Sequence, residues 1–150
     1  MTALSPHLQT WLTTLLNDVE AVAGTVHLHE SGGLRLAAAV NIPEKVQEVV
    51  AWVPSGKGMA GLALERGEPV QTCNLQEDRS GAVKPGAKAV NAQAAVAMPV
   101  RNFEGAILAV VGVAFADERE IQGEELERLQ NAAATLTGVI EDSPRAFRVR

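Results

Sequence analysis

From Leu8 through Trp11, Leu12, Leu15, Leu16, Val19 and Val22, apolar residues recur at spacings of three and four until Gly24 ends the run. That period places one broad apolar stripe on a helix. Ser5-Pro6 marks its start, because a serine oxygen caps free amides and proline has no N–H to leave unpaired there. Beyond Gly24 the period changes to two. Residues 25–31 and 34–41 read as strands around Gly32-Gly33, a two-residue hairpin signal. In the second strand Leu34, Leu36, Ala38 and Val40 share one face, and Arg35, Ala37, Ala39 and Asn41 share the other. The bulky face is expected against the terminal helices, and the small one is expected to stay open.

Residues 43–52 form a second predicted helix, with Pro43 in its first turn and Val46, Val49 and Val50 along its apolar edge. A short helix over 58–65 is closed by Gly67, and a short strand covers 69–73. Residues 74–92 are rich in Gly, Pro, Ser and charge, a loop length that usually carries function in a compact domain. A second hairpin joins strands 94–101 and 106–116 through Asn102-Phe103-Glu104-Gly105. The last helix, 122–141, opens with Glu124, Glu125 and Glu127, where the helix dipole favours acids. Its apolar positions Leu126, Leu129, Ala133, Leu136 and Ile140 follow a 3-4-3-4 heptad spacing. Two hairpins force antiparallel pairing, so the fold class is α+β.

The 150 residues suit one domain, assigned to 1–142 with a basic tail over 143–150. Net charge is −5, and the tail holds three arginines and no acid, so the body is more acidic than the whole. An acidic body is not drawn to DNA or to anionic lipid, and neither nucleic acid nor membrane is expected as a partner. The longest uncharged apolar run, 106–116, has 11 residues, short of the roughly 18 that a membrane span needs. The single cysteine, Cys73, cannot form a disulfide within the chain, and the first residues lack the basic start and apolar stretch of a secretion signal. A cytoplasmic location is the expectation.

The punctuation between residues 53 and 112 is more specific. Val53-Pro54 leads into Gly56-Lys57-Gly58-Met59-Ala60-Gly61, followed by Gly67-Glu68-Pro69-Val70, Asn74-Leu75, Asp78, Pro85-Gly86, Met98-Pro99-Val100, Gly105 and Gly112. This order resembles a GAF domain, and the likeness covers roughly residues 19–140. The resemblance implies a GAF-like central antiparallel sheet of five or six strands. It places the N- and C-terminal helices on one face, and short helices with a long loop over the other. It also implies a single-domain sensor module without catalytic activity, which holds a small polar or anionic ligand between the sheet and the 74–92 loop. By position the ligand residues would be Met59, Leu62, Cys73, Asn74, Asp78, Lys84, Ala95 and Ala97. Asn74 and Asp78 would supply hydrogen bonds, Lys84 or Lys88 a charge, and Met59 and Leu62 apolar walls. Family members often pair through their terminal helices, so a homodimer is expected. No particular cofactor follows.

The same residues match other chemistries in part. Gly56-x-Gly58-x-x-Gly61 matches the dinucleotide fingerprint, but a helix precedes it and about eight residues later Gly67 closes the next one. Arg79, Lys84, Lys88 and Arg101 concentrate positive charge near the loop, as a solvated surface or as a cationic lid. Cys73 reads as a packing residue or as a redox-sensitive thiol. His27 and His29 share a strand face without carboxylate or cysteine pairs at metal-ligand spacing, so a solvated or edge position is expected and no metal site. Free methionine-R-sulfoxide reductases are GAF domains of this size that use several cysteines, and this chain has one. No catalytic residue is assigned. Five aromatics and no tyrosine disfavour stacked chromophores and single-stranded nucleic acid. The alternative to sensing is a homodimeric interaction domain with a vestigial pocket.

Overall fold

The computed structural model describes residues 4–72 and 92–141. Helix α1 (Pro6–Val19) opens as its sequence demands, with the Leu8 N–H donating to Ser5 Oγ at 3.2 Å. It stops earlier than the apolar spacing suggests, at Glu20 in the left-handed region (φ 59°). Val22 belongs to the sheet instead, its N–H donating to the Ala114 carbonyl at 2.8 Å.

Strands β1 (Ala23–Glu30) and β2 (Gly33–Val40) make the first hairpin, followed by α2 (Glu44–Val49), β3 (Trp52–Pro54), α3 (Gly58–Arg66) and β4 (Val70–Thr72). Strands β5 (Ala94–Arg101) and β6 (Ile107–Phe115) make the second hairpin, and α4 (Gly123–Ala134) and α5 (Leu136–Glu141) follow. The six strands form one antiparallel sheet in the order β3-β2-β1-β6-β5-β4. The two hairpins join through the first strand of one and the second strand of the other, so β1 and β6 pair in the centre.

Strand β3 is absent from the sequence reading, which continued the second helix to Trp52. It has only three residues, too few for a visible alternation, and Pro54 ends it at the sheet edge where a missing N–H costs little. The terminal helix also differs. It divides at Thr135, whose N–H and hydroxyl both donate to the Ala132 carbonyl, at 3.3 and 2.7 Å. The same hydroxyl accepts from Trp11 Nε1 at 3.1 Å, tying the break to α1.

Helices α1, α4 and α5 share one face of the sheet. Leu8, Leu12, Leu15 and Leu16 meet Leu129, Ala133, Leu136 and Ile140 over Val26, Leu28, Val96, Met98, Val100, Val111, Val113 and Phe115. Full burial of side chains of this size contributes about 1.5–3 kcal/mol each before cavity effects. The 3-4-3-4 seam of the last helix is thus filled from within its own chain, with Leu126 packed at its margin.

Strand β2 corrects the expected faces. A bulge lies between Val26↔Ala38 and His27↔Leu36, so Ala37 is the extra residue on β2. Ala37 and Ala38 both pack in the helix-side core, whereas Leu34 packs with Ala63 and Leu64 of α3. Leu36, opposite His27, shares that second face. The bulky leucines of β2 therefore serve the side that simple alternation left open. Among the described residues no helix is long and apolar enough to cross a membrane.

Candidate functional site

The second face hollows where small residues stand in rows across the three central strands. Ala23, Ala114 and Ala95 form one row of register partners, and Thr25, Gly112 and Ala97 form the next. None reaches far from the sheet, so the floor stays low. Helix α2 and its flanks supply Ile42, Val46, Val49 and Val50 as one wall; β3 supplies Trp52, Val53 and Pro54. The start of α3 supplies Lys57, Gly58, Met59 and Ala60. Together they line a cavity of about 210 Å³.

The loop into α3 is built by glycine. Gly58 sits at φ 66°, in the left-handed region. At Gly61 a Cβ would lie 2.5 Å from the Pro54 carbonyl, so only glycine allows this close approach. The glycine pattern that mimics a dinucleotide fingerprint thus folds a turn between β3 and a nine-residue helix in an antiparallel sheet. Lys57, at the N-cap of α3, makes no side-chain cap, and the first residues of the helix face the cavity.

His27 is the polar group on the floor that the sequence reading placed elsewhere. Rather than lying at an edge or in solvent, it is 3% exposed, because β1 is a central strand. Its Nε2 lies 2.9 Å from the Val50 carbonyl, which can only accept, so Nε2 carries the proton and holds the C-cap of α2 against the sheet. Nδ1 is then a bare lone pair, and it has no hydrogen-bond partner among the described residues. An unsatisfied buried acceptor of this kind costs about 1–3 kcal/mol. Burial pushes the imidazole below its ordinary value of 6.5, against a smaller opposing effect of the bond to Val50, so the ring is neutral at pH 7. His29, two residues on, is half-buried with Nδ1 donating to the Ile107 carbonyl at 2.9 Å.

Of the residues expected at a ligand site, Met59, Ala95 and Ala97 line the cavity. Leu62 packs instead with the Leu34, Ala63 and Val110 cluster beside it. Cys73, Asn74, Asp78 and Lys84 lie outside the described residues, as do Arg79 and Lys88. Arg101, the remaining cation of the expected lid, is engaged with backbone: Nη1 donates to the Gly105 carbonyl at 2.7 Å and Nη2 to the Gly67 carbonyl at 2.8 Å. Met98 faces the terminal helices together with Val96 and Val100. Among the described residues no group of His, Cys, Asp and Glu is placed to hold a metal ion.

Comparison with known proteins places these features in a wider set. A family model described as a GAF domain matches residues 5–141. None of the curated proteins matches the chain. Among solved structures, the chain is similar to a type II free methionine-R-sulfoxide reductase from Thermoplasma acidophilum, with a TM-score of 0.70 at 19% identity, covering 95% of this chain and 92% of that one. It is also similar to the GAF domain of an Acinetobacter phosphoenolpyruvate-protein phosphotransferase, with a TM-score of 0.71 at 19% identity, covering 93% and 84%. A domain of a putative two-component sensor histidine kinase from Sinorhizobium meliloti aligns with a TM-score of 0.67 at 17% identity, covering 89% and 87%. At these identities the likeness is one of fold.

Proposed function

Given that this chain belongs to the GAF domain family, we propose that it is a ligand-binding regulatory module that carries out no chemistry on its ligand. The observation that carries this reading is the hollow of about 210 Å³ between an alanine- and glycine-rich sheet face and the α2, β3 and α3 segments. Apolar concave sites with a few polar groups are the ordinary form of a small-molecule site. Binding there touches α2, β3 and α3 at once, so a ligand that prefers one arrangement of them shifts their packing.

Reductase chemistry, suggested by one similar fold, needs a thiol and a partner to resolve it. With Cys73 as the single cysteine, no disulfide can close within this chain. Redox sensing through Cys73 and homodimerisation through the terminal helices remain separate proposals, and the latter must use positions outside the buried seam.

Native mass spectrometry of the protein purified from its own host tests the leading reading. A stoichiometric small molecule is expected, and Gly112→Val, which adds a side chain to the cavity floor, should expel it. A ligand-free protein that shows no thermal shift across a metabolite library would overturn the sensor role.

A further inference from the structure

The cavity floor stays open at Thr25 and Gly112. These register partners face each other across β1 and β6, the central pair of the sheet, and both keep accessible surface. Ala23, His27, Ala95, Ala97 and Ala114 around them are buried. We propose that the cavity takes a compact, uncharged, largely apolar molecule bearing one hydrogen-bonding group, which pairs with the Thr25 hydroxyl beside Gly112. This deepens the ligand-binding reading above and rests on it.

Three observations lead there. First, the hydroxyl is available. Val26 and Leu28 turn to the helix-side core, so Thr25 between its neighbours turns to the cavity it lines. A Cβ on Gly112 would stand 3.0 Å from Thr25 Oγ1, so the hydroxyl borders the space that the missing side chain leaves. It makes no hydrogen bond among the described residues.

Second, the floor and walls offer little else to a polar group. His27 is withdrawn, with Nε2 held by the Val50 carbonyl and Nδ1 buried. Lys57 is the one charged side chain among the described lining residues, and it is exposed, where solvent screens it. Ile42, Val46, Val50, Val53 and Met59 make the walls largely aliphatic. A ligand that covered the hydroxyl without pairing with it would forfeit that group's bond to water. A charge, or a second polar group, would lose its own hydration against aliphatic walls. One polar group is therefore the best match, and a hydroxyl partner accepts either a donor or an acceptor. Third, the size fits such a body: an apolar cavity of about 150 Å³ already takes up benzene, and this one holds about 210 Å³.

Substitutions at one position isolate the hydroxyl. Thr25→Val puts a methyl group in its place, and Thr25→Ala removes it without a replacement. Thr25→Ser keeps it and removes the methyl group instead.

The probes are phenol and toluene, which share a ring and differ by a hydroxyl against a methyl group, with benzoate as the anionic competitor. Titrations of the full chain at pH 7 should show the ratio of phenol to toluene affinity falling roughly three- to tenfold from wild type to Thr25→Val. Thr25→Ala should lower the ratio in the same direction, and Thr25→Ser should keep it. The methyl ¹³C resonances of Thr25 and Ala97 should move on adding either probe. An unchanged ratio in both Thr25→Val and Thr25→Ala would overturn the proposal. So would benzoate binding more tightly than phenol while moving those resonances, or failure of both probes to bind. The broader sensor reading survives any of these results if the host-purified protein carries a ligand that Gly112→Val expels, and falls if it does not.

Discussion

The two faces of the sheet use the same strands for opposite ends. Toward α1, α4 and α5, alternate positions of β1, β5 and β6 carry Val26, Leu28, Met98, Val111 and Phe115, all essentially inaccessible to water. Toward α2 and α3, the intervening positions carry Ala23, Thr25, Ala95, Ala97, Gly112 and Ala114, and a cavity remains above them. A period of two lets one strand build a solid core on one side while withholding volume on the other. A packed core and an open cavity are thereby assigned to separate sets of residues, and substitutions on the two faces should behave differently.

The sharpest contrast is expected from Phe115→Ala. It removes a ring buried on the helix face and covered by Arg119 at 4.4 Å, and should cost about 3–5 kcal/mol in urea unfolding. Gly112→Val adds bulk to the other face, where its Cβ meets only Thr25 Oγ1, at 3.0 Å. Its cost should stay below about 1.5 kcal/mol by the same measurement. Comparable losses from the two would break the division between faces.

A pH series tests the neutral His27. Its folded pKa is lowered, so below 6.5 the unfolded chain takes up a proton that the folded chain refuses. Stability should be complete above pH 6.5 and fall as pH drops toward the lowered folded value, by at most about 1.4 kcal/mol at pH 5.5. Urea unfolding of wild type and His27→Gln at pH 7.5 and 5.5 measures it, and the variant should lack this component. The smallest effect is expected at Phe103, 90% exposed in the β5–β6 turn, where Phe103→Ser should alter stability by no more than about 0.5 kcal/mol.

Much of this architecture was legible in the sequence because periodicity reports what is repeated. The α1 stripe from Leu8 to Leu16 and the presence of both hairpins are long enough signals to read, and both hairpins pair antiparallel as expected. The GAF-like glycine and proline order likewise marked the turn into α3. What escaped was local and non-periodic: the three-residue β3, the break at Thr135, and the bulge that turned Leu34 and Leu36 over. His27 was misplaced for a different reason. Neighbouring elements in space, β6 and the end of α2, bury it, and no spacing within the first strand reveals that β1 is central. Met59, Ala95 and Ala97 were expected at the cavity by position in the GAF resemblance and line it, whereas Leu62 follows the helix toward Leu34.

Ala37 shows how much can depend on one unpaired residue. Its methyl group adds little, yet by standing outside the pairing with β1 it decides the sidedness of everything before it in β2. Were it paired with His27 in strict alternation, Leu34 and Leu36 would turn to the face that Ala38 occupies. Helix α3 would then lose its leucine anchor without any change in the polarity of the sequence. The roof of the cavity is in this sense held up by a spacer rather than by a contact.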